Sequence, residues 1–444
     1  MTRKHLALLL LFLGILTGFT FAETNWPQFR GPRGDGSSDA TGLPLQWSER
    51  GADGKGGESI RWKTEIHGRA WSSPVVWDKQ IWLTSATQDG HELYAVCIDR
   101  ESGKILQDLH LFHVDQPQAG HDFNTFASPT PAIEEGRVYV VFGVHGNACL
   151  DTKTGKVLWE RRDLKCDHYR NAGSSPILYG DLLFLNFDGI DVQYVVALDK
   201  KTGRTIWKKE RSVDFQDLEP DGHPKAGGDF RKAFATCTIA TLDGQPTLLS
   251  QGAKAFYAYE PKTGEELWRV EERSNHSGAT RPVIGHGLIY FPSGFSSGQL
   301  LAIRPGKKGE VLDVNATETP PKQQLQLAWR VKKNVPKKPS LLLAGDMVFG
   351  LDDIGVATCW DAKTGETVWN ERIGGNYSAS PLAAEGRIYC FSEEGKTIVL
   401  AAAREFKQLA ENRLESGFMA SPAVTGKALI LRTKTHLYRI EPGS

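Results

Sequence analysis

The sequence predicts an all-β fold, an eight-bladed β-propeller of four-stranded antiparallel blades closed by an N-terminal strand that completes the last blade. Three observations carry this: a repeated Thr-Gly hairpin followed by tryptophan, eight regularly spaced strand starts, and termini that complement one another. The clearest hairpin copies are Asp151-Thr-Lys-Thr-Gly-Lys-Val-Leu-Trp159, Asp199-Lys-Lys-Thr-Gly-Arg-Thr-Ile-Trp207, Glu260-Pro-Lys-Thr-Gly-Glu-Glu-Leu-Trp268 and Asp361-Ala-Lys-Thr-Gly-Glu-Thr-Val-Trp369. Weaker copies run from Asp99 through Gly103 and from Arg304 through Gly309 toward Trp329. The turn glycines at 103, 155, 203, 264, 309 and 365 are 52, 48, 61, 45 and 56 residues apart, the period of one four-stranded blade.

Each part of the motif has a physical task. The aspartate ends a strand, and glycine takes the positive-φ position of the turn, which other residues reach only with strain. The tryptophan on the next strand buries a ring face against the neighbouring blade while its N–H finds an acceptor. Gly155, Gly203, Gly264 and Gly365 with Trp62, Trp159, Trp207, Trp268, Trp329 and Trp369 are therefore read as blade-docking residues.

Strand starts fall at Ser73-Pro74, Ser128-Pro129, Ser175-Pro176, Arg281-Pro282, Ser380-Pro381 and Ser421-Pro422, with Thr236-Cys237 and Ser340-Leu341 in the two remaining slots. Leu437-Tyr-Arg-Ile-Glu-Pro442 matches Phe256-Tyr-Ala-Tyr-Glu-Pro261, but no Thr-Gly turn and tryptophan follow it. Ile60-Arg-Trp-Lys-Thr-Glu-Ile66 carries Trp62 without inner strands of its own, so it is expected to complete the eighth blade. Closure of this kind removes open sheet edges and clamps the ring.

Arg3 and Lys4 precede an apolar run from Leu6 to Phe21, and small Ala22 offers a cleavage point. This reads as a secretory signal peptide over residues 1–22, the run being nearer a signal core than the roughly 20 residues of a spanning helix. No cysteine stands there to take a lipid. The expected organisation is a signal peptide at 1–22, an irregular strap at 23–58 anchored by Trp26, Phe29 and Trp47, and the propeller at 59–444, in the periplasm or outside the cell, as a monomer. Lys plus Arg equals Asp plus Glu at 53 each, so no global field favours nucleic acid or an anionic membrane.

The six cysteines (97, 149, 166, 237, 359 and 390) include no Cys-x-x-Cys, no adjacent pair and no haem-attachment motif. Cys97, Cys149 and Cys359 stand two residues before the motif Asp, where other copies have alanine, so they read as small buried residues in separate blades.

The copy from Ala197 to Trp207 resembles the tryptophan-docking motif of the pyrroloquinoline quinone (PQQ) propeller superfamily, over residues 60 to 442. That superfamily includes the quinoprotein alcohol dehydrogenases and the propeller lipoprotein of the outer-membrane β-barrel assembly machinery. Trp26-Pro-Gln-Phe-Arg-Gly-Pro-Arg-Gly-Asp-Gly-Ser37 further resembles the opening of exported PQQ-like propeller proteins frequent in planctomycetes. The glycines there are no phosphate loop, because no strand precedes and no Lys-Ser/Thr follows. The docking motif marks packing, so it implies fold and not cofactor.

The resemblance implies two functions. The first is a non-catalytic binding scaffold in the periplasm or cell envelope, with an envelope or secreted protein partner and no cofactor. The alternative is a PQQ-dependent oxidoreductase, a quinoprotein dehydrogenase with PQQ and calcium in the central funnel. Against the alternative, the alcohol enzymes hold their quinone by an adjacent-cysteine disulfide beside calcium, which takes six to eight oxygen ligands, and this chain has no such pair.

A ligand would meet the loops entering the innermost strands. Five positions before the proline slot the eight blades present Arg69, Asn124, Asn171, Lys232, Ser277, Pro336, Asn376 and Gly417, with Arg231 and Arg281 nearby and Trp71, Phe126, Phe234, Tyr377 and Phe418 interleaved; Arg69, Trp71, Asn124, Asn171, Arg231, Lys232, Arg281, Asn376 and Tyr377 are the candidate funnel residues. They form a cationic, amidic and aromatic set suited to a multi-carboxylate or an acidic peptide. A bland reading stands beside it: asparagines recur because such loops favour left-handed or Asx-turn geometry, and the aromatics plug the axis. No catalytic residue and no metal set emerges, since His110, His113, His121, His168, His276 and His286 are scattered without helical spacing. Two inserts, Asp214–Lys232 and Lys307–Gln326, are expected to be rim loops, the second poor in strand.

Overall fold

The computed structural model describes residues 24–49, 58–295, 298–316 and 323–443; the signal-peptide reading of 1–22 lies outside them. Eight antiparallel sheets follow one another around a central axis. Blade 1 is built from Val75–Trp77, Gln80–Ala86, Glu92–Asp99 and Ile105–His113, innermost to outermost. Blade 8 has Ala423–Thr425, Ala428–Arg432 and His436–Ile440, and its outermost strand is the N-terminal Ile60–Glu65. Trp62 pairs with Arg439 and Lys63 with Tyr438. The closure expected from the termini is thus present, and it joins residues nearly 380 positions apart. No helix among the described residues is long and apolar enough to cross a membrane.

The core lies between blades, as flat strands with both faces buried require. One cluster joins Val76, Ile81 and Val96 of blade 1 to Val424, Leu429 and Leu431 of blade 8 and to Trp26, Leu43 and Trp47 of the strap. All six cysteines are buried thiols. Cys97, Cys149 and Cys359 face Trp82, Tyr139 and Phe349 on the neighbouring strand, and burial pushes each thiol up to about 12.

The docking tryptophans reach forward. Trp159, Trp207 and Trp329 lay their rings on the turn glycines of the following blade, Gly203, Gly264 and Gly365, and Trp62 does the same to Gly103 across the seam. Their indole N–H groups donate to the same turns: Trp62 to Arg100 O (3.0 Å), Trp159 to Lys200 O (2.9 Å), Trp207 to Pro261 O (2.9 Å) and Trp329 to Ala362 O (3.1 Å). Gly155 meets Gln107 instead, since blade 1 carries glutamine at the tryptophan position.

A Cβ at Gly264 would stand 2.6 Å from the Trp207 ring at φ +71°, whereas Gly180, at φ +58°, has nothing within 4 Å. Gly264→Ala is expected to cost about 2–3 kcal/mol and Gly180→Ala about 1, the backbone part alone. Urea midpoints of the two variants measure this; equal losses would mean the ring contact contributes nothing.

Two sequence expectations are corrected. Gly309 touches no tryptophan: the Lys307–Gln326 insert contains a strand, Glu310–Asp313, that pairs in parallel with Glu266–Glu271 and gives blade 4 a fifth strand over Trp268. Outer edges are unpaired, so an extension of the chain that returns alongside one satisfies its own backbone there. In blade 2 the strand start is Thr130-Pro131 and not Ser128-Pro129. The Thr130 hydroxyl, not that of Ser128, accepts the Ser73 N–H (2.9 Å), as its counterparts do around the ring.

Candidate functional site

The innermost strands begin with a ring of hydroxyls. The backbone N–H of Ser73 donates to Thr130, Thr130 to Ser175, Ser175 to Thr236, Ser340 to Ser380, Ser380 to Ser421 and Ser421 back to Ser73, all at 2.9–3.0 Å. Arg281 donates its N–H to Ser340 (3.0 Å) but offers no hydroxyl in return, so the circle is interrupted at blade 5. Short loops and a proline after most members hold the eight strand starts at one level.

Above the ring opens a funnel of about 860 Å³. Its floor is Phe29 of the strap, its lower wall the hydroxyls of Ser73, Thr130, Ser175, Thr236, Ser380 and Ser421, and its upper wall Trp71, Phe123, Phe230, Phe234 and Phe295 with Arg170, Lys232, Lys337 and Lys338. The strap seals the other end. Trp26 pairs with Val76 in both directions (2.8 and 2.9 Å), Pro27 O accepts from Ile133, Ser37–Ser38 runs parallel to Ala383–Ala384, and Trp47 N donates to Asn412.

The mouth is unusually aromatic and cationic. Phe123, Tyr169, Phe230 and Phe295 are 41, 44, 38 and 48% exposed. Cations lie against them: Lys338 is 4.3 Å from the Phe123 ring centre, Lys337 5.1 Å from Phe295, Arg170 5.0 Å from Tyr169 and Lys254 5.6 Å from Phe230. Such stacking holds charge and ring together in water and leaves both presentable to a ligand.

Two carboxylates enter the funnel, each held by a lysine. Asp229 binds Lys232, and Lys338 lies 3.8 Å from Asp353 and 3.1 Å from Glu393. Burial pushes Asp353 above the usual carboxylate range against the pull of Lys338, and burial pulls Lys232 down against that of Asp229. His276 is held below the ordinary histidine range by burial and then by Lys232.

Of the nine funnel candidates, Trp71, Asn124 and Lys232 line the cavity. Trp71 donates to Phe123 O (3.0 Å), and Asn124 spans to blade 3 by donating to Arg170 O (2.7 Å). Arg69 lies over Trp71, and with Asn171 it borders a smaller side pocket of about 310 Å³. The other four are elsewhere. Arg231 is paired with Asp217 (Nε to Oδ2, 3.0 Å), Asn376 points outward to Glu394 (2.8 Å), and Tyr377 is wholly buried between blades. Arg281 turns beneath the ring, donating to Thr238 Oγ1 (3.0 Å) and Phe29 O (2.6 Å). A count from the strand start gives height along the axis and not the direction a side chain takes.

The Asp214–Lys232 insert is no rim loop. Bridges of Leu218 to Pro224 and Ala233 to Asp188 fold it back, and it delivers Asp229, Phe230 and Lys232 to the funnel. Phe295 and Asp353 were missed because they sit on loops between the second and third strands, outside the window that the strand starts select. The repeats of those loops, aligned from the second strand, would have exposed them. His121 and His276 line the funnel, while His110 and His113 share Glu92 on the outside of blade 1.

Fold and funnel together define an eight-bladed PQQ-like β-propeller. The family profile described as outer membrane protein assembly factor BamB matches residues 53–219 and 323–409, more than half of the chain, and the chain belongs to that family. Among solved structures, BamB from Moraxella catarrhalis superposes with a TM-score of 0.54 at 13% identity, covering 86% of this chain and 99% of that one. A europium-containing methanol dehydrogenase gives 0.55 at 12% identity over 94% and 90%; at these identities the likeness is one of fold. A quinoprotein ethanol dehydrogenase of Pseudomonas aeruginosa is 29% identical over 170 residues, 37% of this chain. The match spans a quarter of that relative's length.

The quinone–calcium pair can be tested on the residues present. Among the described residues no three His, Cys, Asp or Glu side chains converge as metal ligands, and both funnel carboxylates are held by lysine. The cations and rings suit a flat polycarboxylate, but the donor set does not fit calcium.

Proposed function

We propose that this propeller is a non-catalytic binding protein of the cell envelope, and that the funnel mouth is where it takes a protein partner. The observation that carries this is the exposed ring of Phe123, Tyr169, Phe230 and Phe295 with cations stacked on it. Aromatic and arginine side chains are the groups enriched where proteins dock, and four half-exposed rings around one opening form a patch that a monomer rarely leaves uncovered. Membership of a family described by an assembly factor supports the same reading. Ile354, 55% exposed beside Asp353, extends the apolar surface.

The test is site-specific photocrosslinking from position 295 in the native envelope, alongside the variant Phe123→Ser with Phe295→Ser. One predominant crosslinked partner is expected from the parent, with affinity lowered at least tenfold in the double variant. Unchanged affinity in the variant would remove the mouth from the interface.

The second reading, a PQQ-dependent oxidoreductase, draws on the quinoprotein relative and on the funnel cations, and the carboxylate set stands against it. Titration with PQQ, with and without calcium, separates the two. A ligand that binds only the folded protein must raise its melting temperature. Stoichiometric PQQ uptake with dye-linked alcohol oxidation would replace the binding reading by the enzymatic one.

A further inference from the structure

The strap sequence Phe29-Arg-Gly-Pro-Arg-Gly-Asp-Gly36 is not explained by covering the axis. A hydrophobic plug would do that without two buried arginines. Arg30, 2% exposed, occupies the left-handed region at φ +65° and donates through Nη2 to the carbonyls of Asp35 and Leu341. Its Nε and Nη1 are buried with no hydrogen-bond partner among the described residues. Arg281, 1% exposed, comes down from the ring onto the same strap through Phe29 O.

The glycines are shaped around these two groups. A Cβ at Gly34 would stand 2.5 Å from the Arg281 guanidinium and one at Gly36 2.6 Å from that of Arg30. No carboxylate forms an ion pair with either arginine among the described residues. Asp35 is near enough to favour both charges, but its Oδ1 accepts the Ser37 N–H (2.9 Å) and hydroxyl (2.7 Å), and its Oδ2 faces Arg33 at 3.7 Å. Arg33 in turn pairs with Asp39 at 2.8 Å.

A guanidinium does not deprotonate in a protein, and a buried charge with open donors is strongly unfavourable unless something pairs with it. Burial draws Arg30 down to about 9 and Arg281 to about 10, and Arg281 adds to the shift at Arg30. We propose that Arg30 and Arg281 bind one small monovalent anion, of halide or formate size, at the sealed end of the propeller axis, and that this ion fastens the strap to blade 5. The open Nε and Nη1 of Arg30 are its donors. The site lies on the far side of the hydroxyl ring from the funnel and is independent of the partner reading.

Bromide is the probe. Crystals of the full chain grown in bromide should show anomalous density within hydrogen-bonding reach of Arg30 Nε or Nη1. In gluconate buffer at constant ionic strength, added bromide should raise Tm by about 2 °C per tenfold concentration once binding saturates. Arg281→Ser installs at blade 5 the hydroxyl that the other seven blades already carry, so the ring can close and the protein should fold. In it the bromide dependence should vanish. A water at Arg30 without anomalous signal, or the same bromide dependence in Arg281→Ser as in the parent, overturns the proposal.

Discussion

Arg211→Met is expected to destabilise the propeller by about 3–5 kcal/mol, more than any single funnel substitution. The side chains of Arg211 and Asp188 are each 1% exposed and meet in a two-point pair, Nε to Oδ1 at 2.8 Å and Nη2 to Oδ2 at 2.7 Å. Nη1 reaches the Tyr259 hydroxyl (3.3 Å), and the guanidinium lies 4.9 Å from the Tyr257 ring centre. Both tyrosines belong to blade 4, while Asp188 ends a strand of blade 3. The pair therefore staples two blades. Burial opposes the Arg211 charge and pushes Asp188 above the usual carboxylate range, while Asp188 and Tyr259 hold Arg211 well above its usual value; the two-point geometry, with both carboxylate oxygens accepting from one guanidinium, is that of an ion pair.

Removing arginine alone leaves a carboxylate in an apolar seam, and most of the loss is that stranded charge. Asp188→Asn combined with Arg211→Met should recover a good part of it. Urea unfolding of the single and double variants decides. A double variant no more stable than Arg211→Met would mean that the stranded carboxylate is not the cause.

Acidification from pH 6.5 to about 4.5 is expected to weaken the fold through His145 and His168. These side chains are 7 and 4% exposed. His145 Nε2 accepts the Gln118 N–H (3.0 Å), which requires a neutral ring, and Gln118 Nε2 donates on to Cys166 O (2.9 Å). His168 packs tilted against Phe187, ring centres 5.6 Å apart, with its Nδ1 3.6 Å from the Cys166 thiol. Burial lowers both to about 4, and His145 further lowers His168.

The unfolded chain binds these protons near pH 6.5 and the folded one only near 4, so between those values the unfolded state carries more protons. Stability accordingly falls as pH drops through the window, by roughly 3 kcal/mol per histidine when the lower value is reached. His145→Gln keeps an acceptor for Gln118 and removes one titration. Its unfolding free energy should depend on pH about one proton less steeply. A parent profile flat from pH 7 to 4.5 would show that neither ring needs to be neutral.

The legible parts of the sequence were those repeated in it. Gly203, Gly264 and Gly365 and the tryptophans before them recur because every blade meets its neighbour through the same contact, so one copy interprets the others. Trp62 could be assigned to blade 8 for the same reason. Blade 2 was misaligned because Ser128-Pro129 and Thr130-Pro131 are equally good local signals; only the hydrogen bond from Ser73 distinguishes them. Phe295 and Asp353 escaped notice because their loops vary in length and carry no shared motif.

By itself the sequence determined the number of blades, their order, the docking surfaces and the seam at which the ring closes, since these follow from local patterns with a fixed period. Where Arg281 points was decided only by the tertiary structure. Its place at a strand start makes it a funnel candidate, but it donates to the Phe29 carbonyl, 252 residues away, at the sealed end of the axis. The Asp214–Lys232 insert likewise became part of the mouth through its internal Leu218–Pro224 bridge and the single bridge of Ala233, at its end, to Asp188 of the preceding blade. Side-chain direction on the axis depends on which distant acceptor is left unpaired, and that is settled only when all eight blades and the strap are in place.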